Sequence, residues 1–454
     1  MSLLAARYDR AVERSGSVLC LGLDPSPLQY PDPAERVGRC LRLLEVAGRF
    51  CAAVKLNENH LRGVGEDGHR SVTGLAGRLG LLTILDCKLG DIGETARAAV
   101  ETVARLGYDA FTASPLFGNV GEVTELAHSR GLGVFLVAYP SGSYGSRYFE
   151  LEVSGEKLFW RFVREGVEAG VDGYVVGLSP RLSERMVAEL RSMVGEEAVI
   201  LSPGAGAQGG DPEPLIRGGG ERILVNVGRA VIHAHDPAAA AREAAEQLSS
   251  RREYVLAARA IAATPGVLNI YERPIQLSSG RLSNIYVDCR ALYSNPSARA
   301  LIVRLMTGLV SRRAGREGVE VATTATAGIP IASLVADRLG AGLVYVRMEK
   351  KGHGQEKRVE GVVKPGATYV GVDDVATTGR SALECVRAVR EAGGRVERYF
   401  VILDRSEGAA ELLAGEGVEL HSLARLDEGF MVMVRARRGE EPRGSGPAET
   451  NTTV

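Results

Sequence analysis

The segment Asp86-Cys87-Lys88-Leu89-Gly90-Asp91 follows the β-rich run Leu82–Lys88 and carries three charges within six residues. Positions i and i+2 of a strand point the same way, so Asp86 and Lys88 should share one face, at the strand's C-terminal end. Asp91 falls in the loop beyond and need not face the same pocket. Asp24 closes the run Val18–Asp24, and Lys55 lies near the end of Ala52–Asn57. The chain has only seven lysines, and arginine supplies the other 48 of its 55 basic residues. A lysine kept against that bias points to a need for a compact ammonium that can give up a proton, which arginine cannot do.

Two further groups suit anions. Ser202-Pro-Gly-Ala-Gly-Ala-Gln208-Gly-Gly-Asp211 and Asn226-Val-Gly-Arg229 each follow a β-rich run. Glycines there let backbone N–H groups approach a phosphate, and Arg229 adds charge. In the second half, Tyr369-Val-Gly-Val ends in Asp373-Asp374-Val375-Ala376-Thr377-Thr378-Gly379-Arg380-Ser381. Two carboxylates can accept hydrogen bonds from vicinal ribose hydroxyls, while the Thr/Gly loop suits a 5′-phosphate at a helix N-terminus. A plain Asp/Thr helix cap is the simpler alternative.

Such groups need elements to hold them. The first half alternates strands near Val18–Asp24, Ala52–Asn57, Leu82–Lys88, Ala110–Ser114, Val134–Tyr139, Gly173–Leu178, Val199–Gly204 and Arg222–Gly228 with helical stretches such as Glu94–Leu106, Gly155–Ala169 and Leu182–Met193. Eight such units fit a (β/α)₈ TIM barrel, although a doubly wound sheet shows the same rhythm. The stretch Gln247–Glu253 reads as a boundary. Beyond it, strands near Tyr286–Cys289, Val319–Thr323, Leu343–Val346, Tyr369–Asp373 and Tyr399–Leu403 describe an open α/β domain. This predicts domains over 1–247 and 253–438, and a disordered, apolar-poor tail over 439–454. A 454-residue chain with 45% hydrophobic residues can bury two cores. Its net charge of −1 gives no basic field for nucleic acid or an anionic membrane. Six scattered cysteines without a C-x-x-C pair argue against a zinc site or a disulfide framework, and no signal-like or membrane-spanning run is present. A cytoplasmic location is expected.

Leu21-Gly-Leu-Asp24-Pro, Val54-Lys55-Leu-Asn57, Asp86-x-Lys88-x-x-Asp91-Ile92-Gly93-x-Thr95, the Pro203–Gln208 run and Gly228-Arg229 together resemble orotidine 5′-monophosphate decarboxylase, in collinear order. The resemblance implies an alternating charge network of Lys55, Asp86, Lys88 and Asp91. It also implies that Asp91 and Thr95 act across a dimer interface, that Gln208 and Arg229 bind phosphate, and that Asp24 and Lys55 bind ribose. After the fifth strand, Val137-Ala-Tyr-Pro-Ser141 departs from the family's pyrimidine contact, with Ser141 the available substitute. No cofactor is implied for this half.

The Asp373–Ser381 segment resembles the phosphoribosyl-diphosphate motif of type I phosphoribosyltransferases. Leu277-Ser-Ser-Gly280-Arg-x-Ser283-x-x-Tyr286 and Val346-Arg347-Met-Glu-Lys350-Lys351-Gly-His353-Gly354 resemble the orotate-specific members. By that resemblance Arg347, Lys351 and His353 would reach the diphosphate from a neighbouring subunit, with Lys350, one residue from the usual pattern, adding charge there, and Lys351 and His353 would act catalytically. Thr377 and Arg405 would contact orotate. Mg²⁺ would be held through phosphoribosyl diphosphate and not by the protein directly. Met348, Ala327 and Ser278 stand where some members carry a basic residue. The joint implication is consecutive reactions on small-molecule substrates, orotate to orotidine 5′-phosphate to UMP, in a homodimer or higher homo-oligomer. One alternative is a barrel lyase for sugar phosphates, which would need Mg²⁺. The other is a C-terminal half that senses phosphoribosyl diphosphate without turning it over.

Overall fold

Eight short parallel strands in the first half close on themselves. They are β1 (Leu19–Leu23), β2 (Ala53–Asn57), β3 (Leu82–Leu89), β4 (Ala110–Ala113), β5 (Gly133–Tyr139), β6 (Gly173–Val176), β7 (Val199–Pro203) and β8 (Ile223–Val227), and β8 pairs with β1. The computed structural model describes residues 2–141, 145–205, 209–276, 282–348 and 358–438. Closure settles the choice that periodicity left open: the first unit is a barrel and not an open sheet. All-parallel strands covered on both faces are continuously apolar, and β1, β4, β5, β6 and β8 are buried throughout.

The barrel interior is filled by Cys20, Ala53, Leu82, Ile84, Ala110, Phe135, Val199, Leu201 and Leu224. The N-terminal helix Leu3–Ser15 lies across the strands' N-terminal ends. Its Tyr8 hydroxyl donates to Ile223 O (3.0 Å), Arg14 donates to Cys51 O (2.6 Å) and Arg7 donates to Gly131 O (2.9 Å), each at or just before a strand start. That leaves the C-terminal ends free for chemistry.

The second unit holds a six-stranded sheet. Its strands follow a two-stranded hairpin, β9 (Leu268–Gln276) with β10 (Leu282–Val287). The sheet comprises β11 (Val319–Thr324), β12 (Leu343–Val346), β13 (Val359–Glu360), β14 (Thr368–Ala376), β15 (Arg395–Asp404) and β16 (Glu419–Arg425). The order is β13-β12-β11-β14-β15-β16, parallel except for the β12–β13 pair.

The stretch read as a boundary is not a linker. Gln247–Glu253 lies inside one helix, Pro237–Ala263. Its polar residues are mostly good helix formers. Leu248, Ser249, Arg252 and Glu253 are buried, and the Arg252 guanidinium donates to Glu221 O. Two compact units result: Met1–Arg252 with Gly308–Arg316, and Glu253–Thr307 with Glu317 onward. The tail after 438 lies outside the described residues, and no helix among them is long and apolar enough to cross a membrane.

Candidate active sites

The mouth of the barrel encloses a cavity of about 310 Å³ lined by Asp24, Lys55, Asp86, Lys88 and Thr112 on one side and Val137, Val175 and Leu201 on the other. Strand alternation creates this division. On β2–β4 the topmost inward positions are polar, and on β5–β7 they are aliphatic.

The charged side is tightly interlinked. Lys55 Nζ donates to Asp86 Oδ2 (2.6 Å) and Lys88 Nζ to Asp86 Oδ1 (2.7 Å), so one carboxylate bridges two ammonium groups. Burial alone would push the Asp86 carboxyl up. The Lys55 and Lys88 charges overcome it and hold the group down at about 2. Lys55 is 5% exposed. Burial works against its charge, but Asp86 and Asp24 outweigh it and raise its pKa. Asp24 also accepts a hydrogen bond from Asn57 N (3.2 Å), which holds the carboxylate beside the cavity.

Lys88 reaches Asp86 by an irregularity that alternation does not foresee. Between the pairs Leu85–Phe111 and Leu89–Ala113, β3 spends three residues where β4 spends one, Thr112. Lys88 takes φ +48, a left-handed conformation that costs a non-glycine residue about 1–3 kcal/mol. Thr112 fills the gap. Its hydroxyl accepts from Lys88 N (2.8 Å) and donates to Asp86 Oδ1 (3.1 Å). Thr112 was not among the expected site residues, although it is the lone polar side chain on the inner face of a short buried strand, a readable signal.

Asp91 is not part of this cavity lining. Its carboxylate accepts from Ile92 N (2.9 Å) and its carbonyl from Asn119 Nδ2 (2.8 Å). Thr95 is exposed, as is Ile92, and Leu116 and Phe117 add two more exposed apolar side chains at the ends of β3 and β4. Arg229 is exposed just past β8 and does not line the cavity, whereas Ser141 does. Gln208 lies outside the described residues.

In the second unit a cavity of about 500 Å³ opens at the end of β14. Asp373, Val375, Ala376, Thr377, Thr378, Gly379, Arg380 and Ser381 line it, with Tyr399 and Val401 of β15. Gly379 has φ +80 and begins the helix Arg380–Glu391, and a Cβ there would meet the backbone of Ala409 at 2.9 Å. Only glycine turns the loop here without strain.

The two acids sit deeper than a simple surface clamp. Asp373 is 6% exposed and Asp374 8%. Asp373 Oδ2 accepts hydrogen bonds from Thr324 Oγ1 and from the Tyr399 hydroxyl (3.1 Å), and its Oδ1 accepts from Asp374 N (2.9 Å). Asp374 Oδ1 accepts from Val375 N (2.8 Å). Burial, reinforced by the neighbouring carboxylate, raises the Asp373 pKa, and burial raises that of Asp374 as well.

The other expected transferase residues are elsewhere. Arg347 pairs with Glu360 (2.8 Å). Arg405 is buried, with Nε on Glu407 Oε1 (2.8 Å) and its terminal nitrogens donating to Ile285 O (3.3 Å). Neither lines the β14 cavity. Lys350, Lys351 and His353 lie outside the described residues. So do Ser278 and the rest of the loop between β9 and β10.

Comparison with known proteins divides the chain in the same way. A family model described as "Orotidine 5'-phosphate decarboxylase / HUMPS family" matches residues 17–244, and one described as "Phosphoribosyl transferase domain" matches residues 289–416. An orotate phosphoribosyltransferase of Sinorhizobium medicae is 38% identical over 159 residues, covering 34% of this chain and 67% of its own. One from Sulfolobus acidocaldarius is 41% identical over 152 residues, 34% of this chain and 75% of its own. A solved Leishmania donovani UMP synthase is 27% identical, with 97% of this chain and 96% of that chain covered and a TM-score of 0.48. With half its length matched by the first model, the chain belongs to the orotidine 5′-phosphate decarboxylase / HUMPS family and carries an orotate phosphoribosyltransferase domain fused behind the barrel.

Proposed function

We propose that the two cavities perform the last two steps of UMP synthesis in one chain: orotate and phosphoribosyl diphosphate give orotidine 5′-phosphate and diphosphate, and the barrel then releases CO₂ to leave UMP. The observation that carries this reading is the Lys55–Asp86–Lys88 bridge against an aliphatic wall.

Breaking the C6–carboxylate bond leaves an electron pair at C6 that the ring cannot spread. Stabilisation must come from charge already in place. A cation about 4 Å from an anion contributes roughly 4 kcal/mol at an effective dielectric of 20. Lys88 is the group for this task and then the proton donor to C6. Asp86 orients its ammonium, and Lys55, with Asp24, binds ribose hydroxyls. The aliphatic wall excludes water from the departing CO₂. Arg229 and Gln208 bind the phosphate, whose binding energy helps order the site.

Asp91 and Thr95 complete the site of a second copy in this reading. The exposed Ile92, Leu116 and Phe117 beside them support such an interface. In the transferase, the Thr377–Ser381 loop cradles the 5′-phosphate, and Arg347, Lys350, Lys351 and His353 serve the diphosphate. Thr377 and Arg405 serve orotate. Mg²⁺ would be held through phosphoribosyl diphosphate, where it would neutralise the diphosphate charge, while Asp373 and Asp374 would accept hydrogen bonds from the ribose hydroxyls. A cytoplasmic, membrane-free setting suits these small, charged substrates.

The test supplies orotate, phosphoribosyl diphosphate and Mg²⁺ to the purified chain and measures diphosphate and CO₂. Both should appear. Diphosphate without CO₂, or CO₂ from orotidine 5′-phosphate without any diphosphate step, would remove one half of the reading.

A further inference from the structure

One side chain in the barrel cavity is unused by the network above. Asn226 is on β8, in register with Cys20 of β1 and Pro203 of β7, and it faces inward like Leu224 two residues earlier. It is 9% exposed. Its Oδ1 is fully buried without a partner, and among the described residues its amide makes no hydrogen bond. The fold makes room for it, because a Cβ on Gly22 would come within 3.2 Å of Nδ2 and 3.3 Å of Oδ1. Pro203, its β7 neighbour, has no N–H to offer.

A buried amide without partners is unfavourable, and an aliphatic side chain would fill the place at no such cost. Val137, Val175 and Leu201 do so at the corresponding inward positions of β5–β7. Ser202 Oγ is also buried and unpartnered, but it alternates with inward-facing Leu201 and Pro203 and so points away from the cavity. Among the described residues, Asn226 is the one that combines a buried, unpartnered polar atom with the cavity wall.

We infer that Asn226 is a substrate-binding residue of the decarboxylase whose amide hydrogen-bonds the sugar-phosphate half of the nucleotide. It stands on the β7–β8–β1 side, two residues before Gly228-Arg229 and on the strand beside β1, which Asp24 follows, while Lys88 occupies β3. A neutral amide donates and accepts at once, which matches ribosyl hydroxyl and ester oxygens. It also adds no charge that would disturb the Lys55–Asp86 pair. The inference rests on the decarboxylase reading, and the wild-type chain's release of CO₂ from orotidine 5′-phosphate tests that reading separately.

The experiment compares wild type with Asn226→Leu and Asn226→Ser, measuring UMP affinity by titration, KM and kcat for decarboxylation, transferase rate and thermal midpoint. Asn226→Leu should weaken UMP and raise KM at least about tenfold while kcat stays within about threefold, the pattern of lost binding present in both ground and transition states. Its thermal midpoint should match or exceed wild type, and the transferase rate should not change. Asn226→Ser, which keeps a hydroxyl and is read by the same titration if the leucine variant does not fold, should be intermediate. Wild-type UMP affinity and KM in both variants, or a lowered midpoint with unchanged KM, would overturn the inference.

Discussion

The barrel cavity and the β14 cavity differ in where their charge comes from. In the barrel, the ionic groups sit on the strands themselves, pair with one another and are fixed before substrate arrives. In the transferase, the cavity is built mainly from backbone and hydroxyls of the Asp373–Ser381 segment, and the carboxylate that lines it, Asp373, is engaged by Thr324 and Tyr399. Apart from Arg380, the expected cations lie on other segments. The difference follows the two reactions. A decarboxylation that creates a localised carbanion needs charge held rigidly at one atom, whereas a diphosphate substrate brings charge of its own and needs a cradle.

The sharpest way to break this comparison is to remove the more exposed cation of the barrel's bridge. Lys88→Ala should lower decarboxylation on the order of 10³-fold or more, since a positioned charge and a proton donor are lost together. Diphosphate release from orotate should be unchanged. A variant retaining decarboxylation near the wild-type rate would mean that charge on β3 is not the source of catalysis.

The converse change targets the cradle. Gly379→Ala forces a side chain into φ +80 and against Ala409, at a conformational cost of about 1–2 kcal/mol before any clash is relieved. Diphosphate release should fall on the order of ten- to a hundredfold, with decarboxylation of added orotidine 5′-phosphate intact. If both activities fell together, the two cavities would not be separable as described.

A third prediction concerns stability. Asp86 is held at about 2 in the fold against an ordinary 3.8. Its depressed value contributes stability that is complete above about pH 5 and is lost as pH falls through 3.8 toward 2, about 2 kcal/mol in all. The difference between wild type and Asp86→Asn, read by hydrogen exchange of barrel-strand amides, should narrow by about that amount between pH 5 and pH 2. A difference independent of pH would show that the bridge does not charge Asp86 as the geometry requires.

Much of this architecture was legible in the residues. All eight barrel strands fell within a residue or two of their expected places, because buried parallel strands are short apolar runs bounded by turns. The polar ends of β1–β3 stood out against them. What escaped notice has physical causes. β9 contains Pro274 and mostly exposed residues, and β16 is an edge strand of mixed polarity, so neither shows an apolar run. The helix Pro237–Ala263 hides its continuity because its buried side includes Ser249, Arg252 and Glu253. Single polar residues inside strands, Thr112 and Asn226, are masked by their apolar neighbours, and the extra residues of β3 opposite Thr112 obey no periodicity.

Thr112 therefore offers the finest test of how the barrel holds its charge. Thr112→Val keeps the shape and removes only the hydroxyl, which now holds Lys88 N on one side and Asp86 Oδ1 on the other. Each hydrogen bond contributes about 0.5–1.5 kcal/mol, so kcat should fall about three- to tenfold, with KM little changed and the transferase untouched. The loss should be absent in a Lys88→Ala background, because the hydroxyl acts by positioning that ammonium. A further loss there, or a change confined to KM, would mean that Thr112 touches substrate itself, and the rigidity assigned to β3 would have to come from the Lys55–Asp86 pair alone.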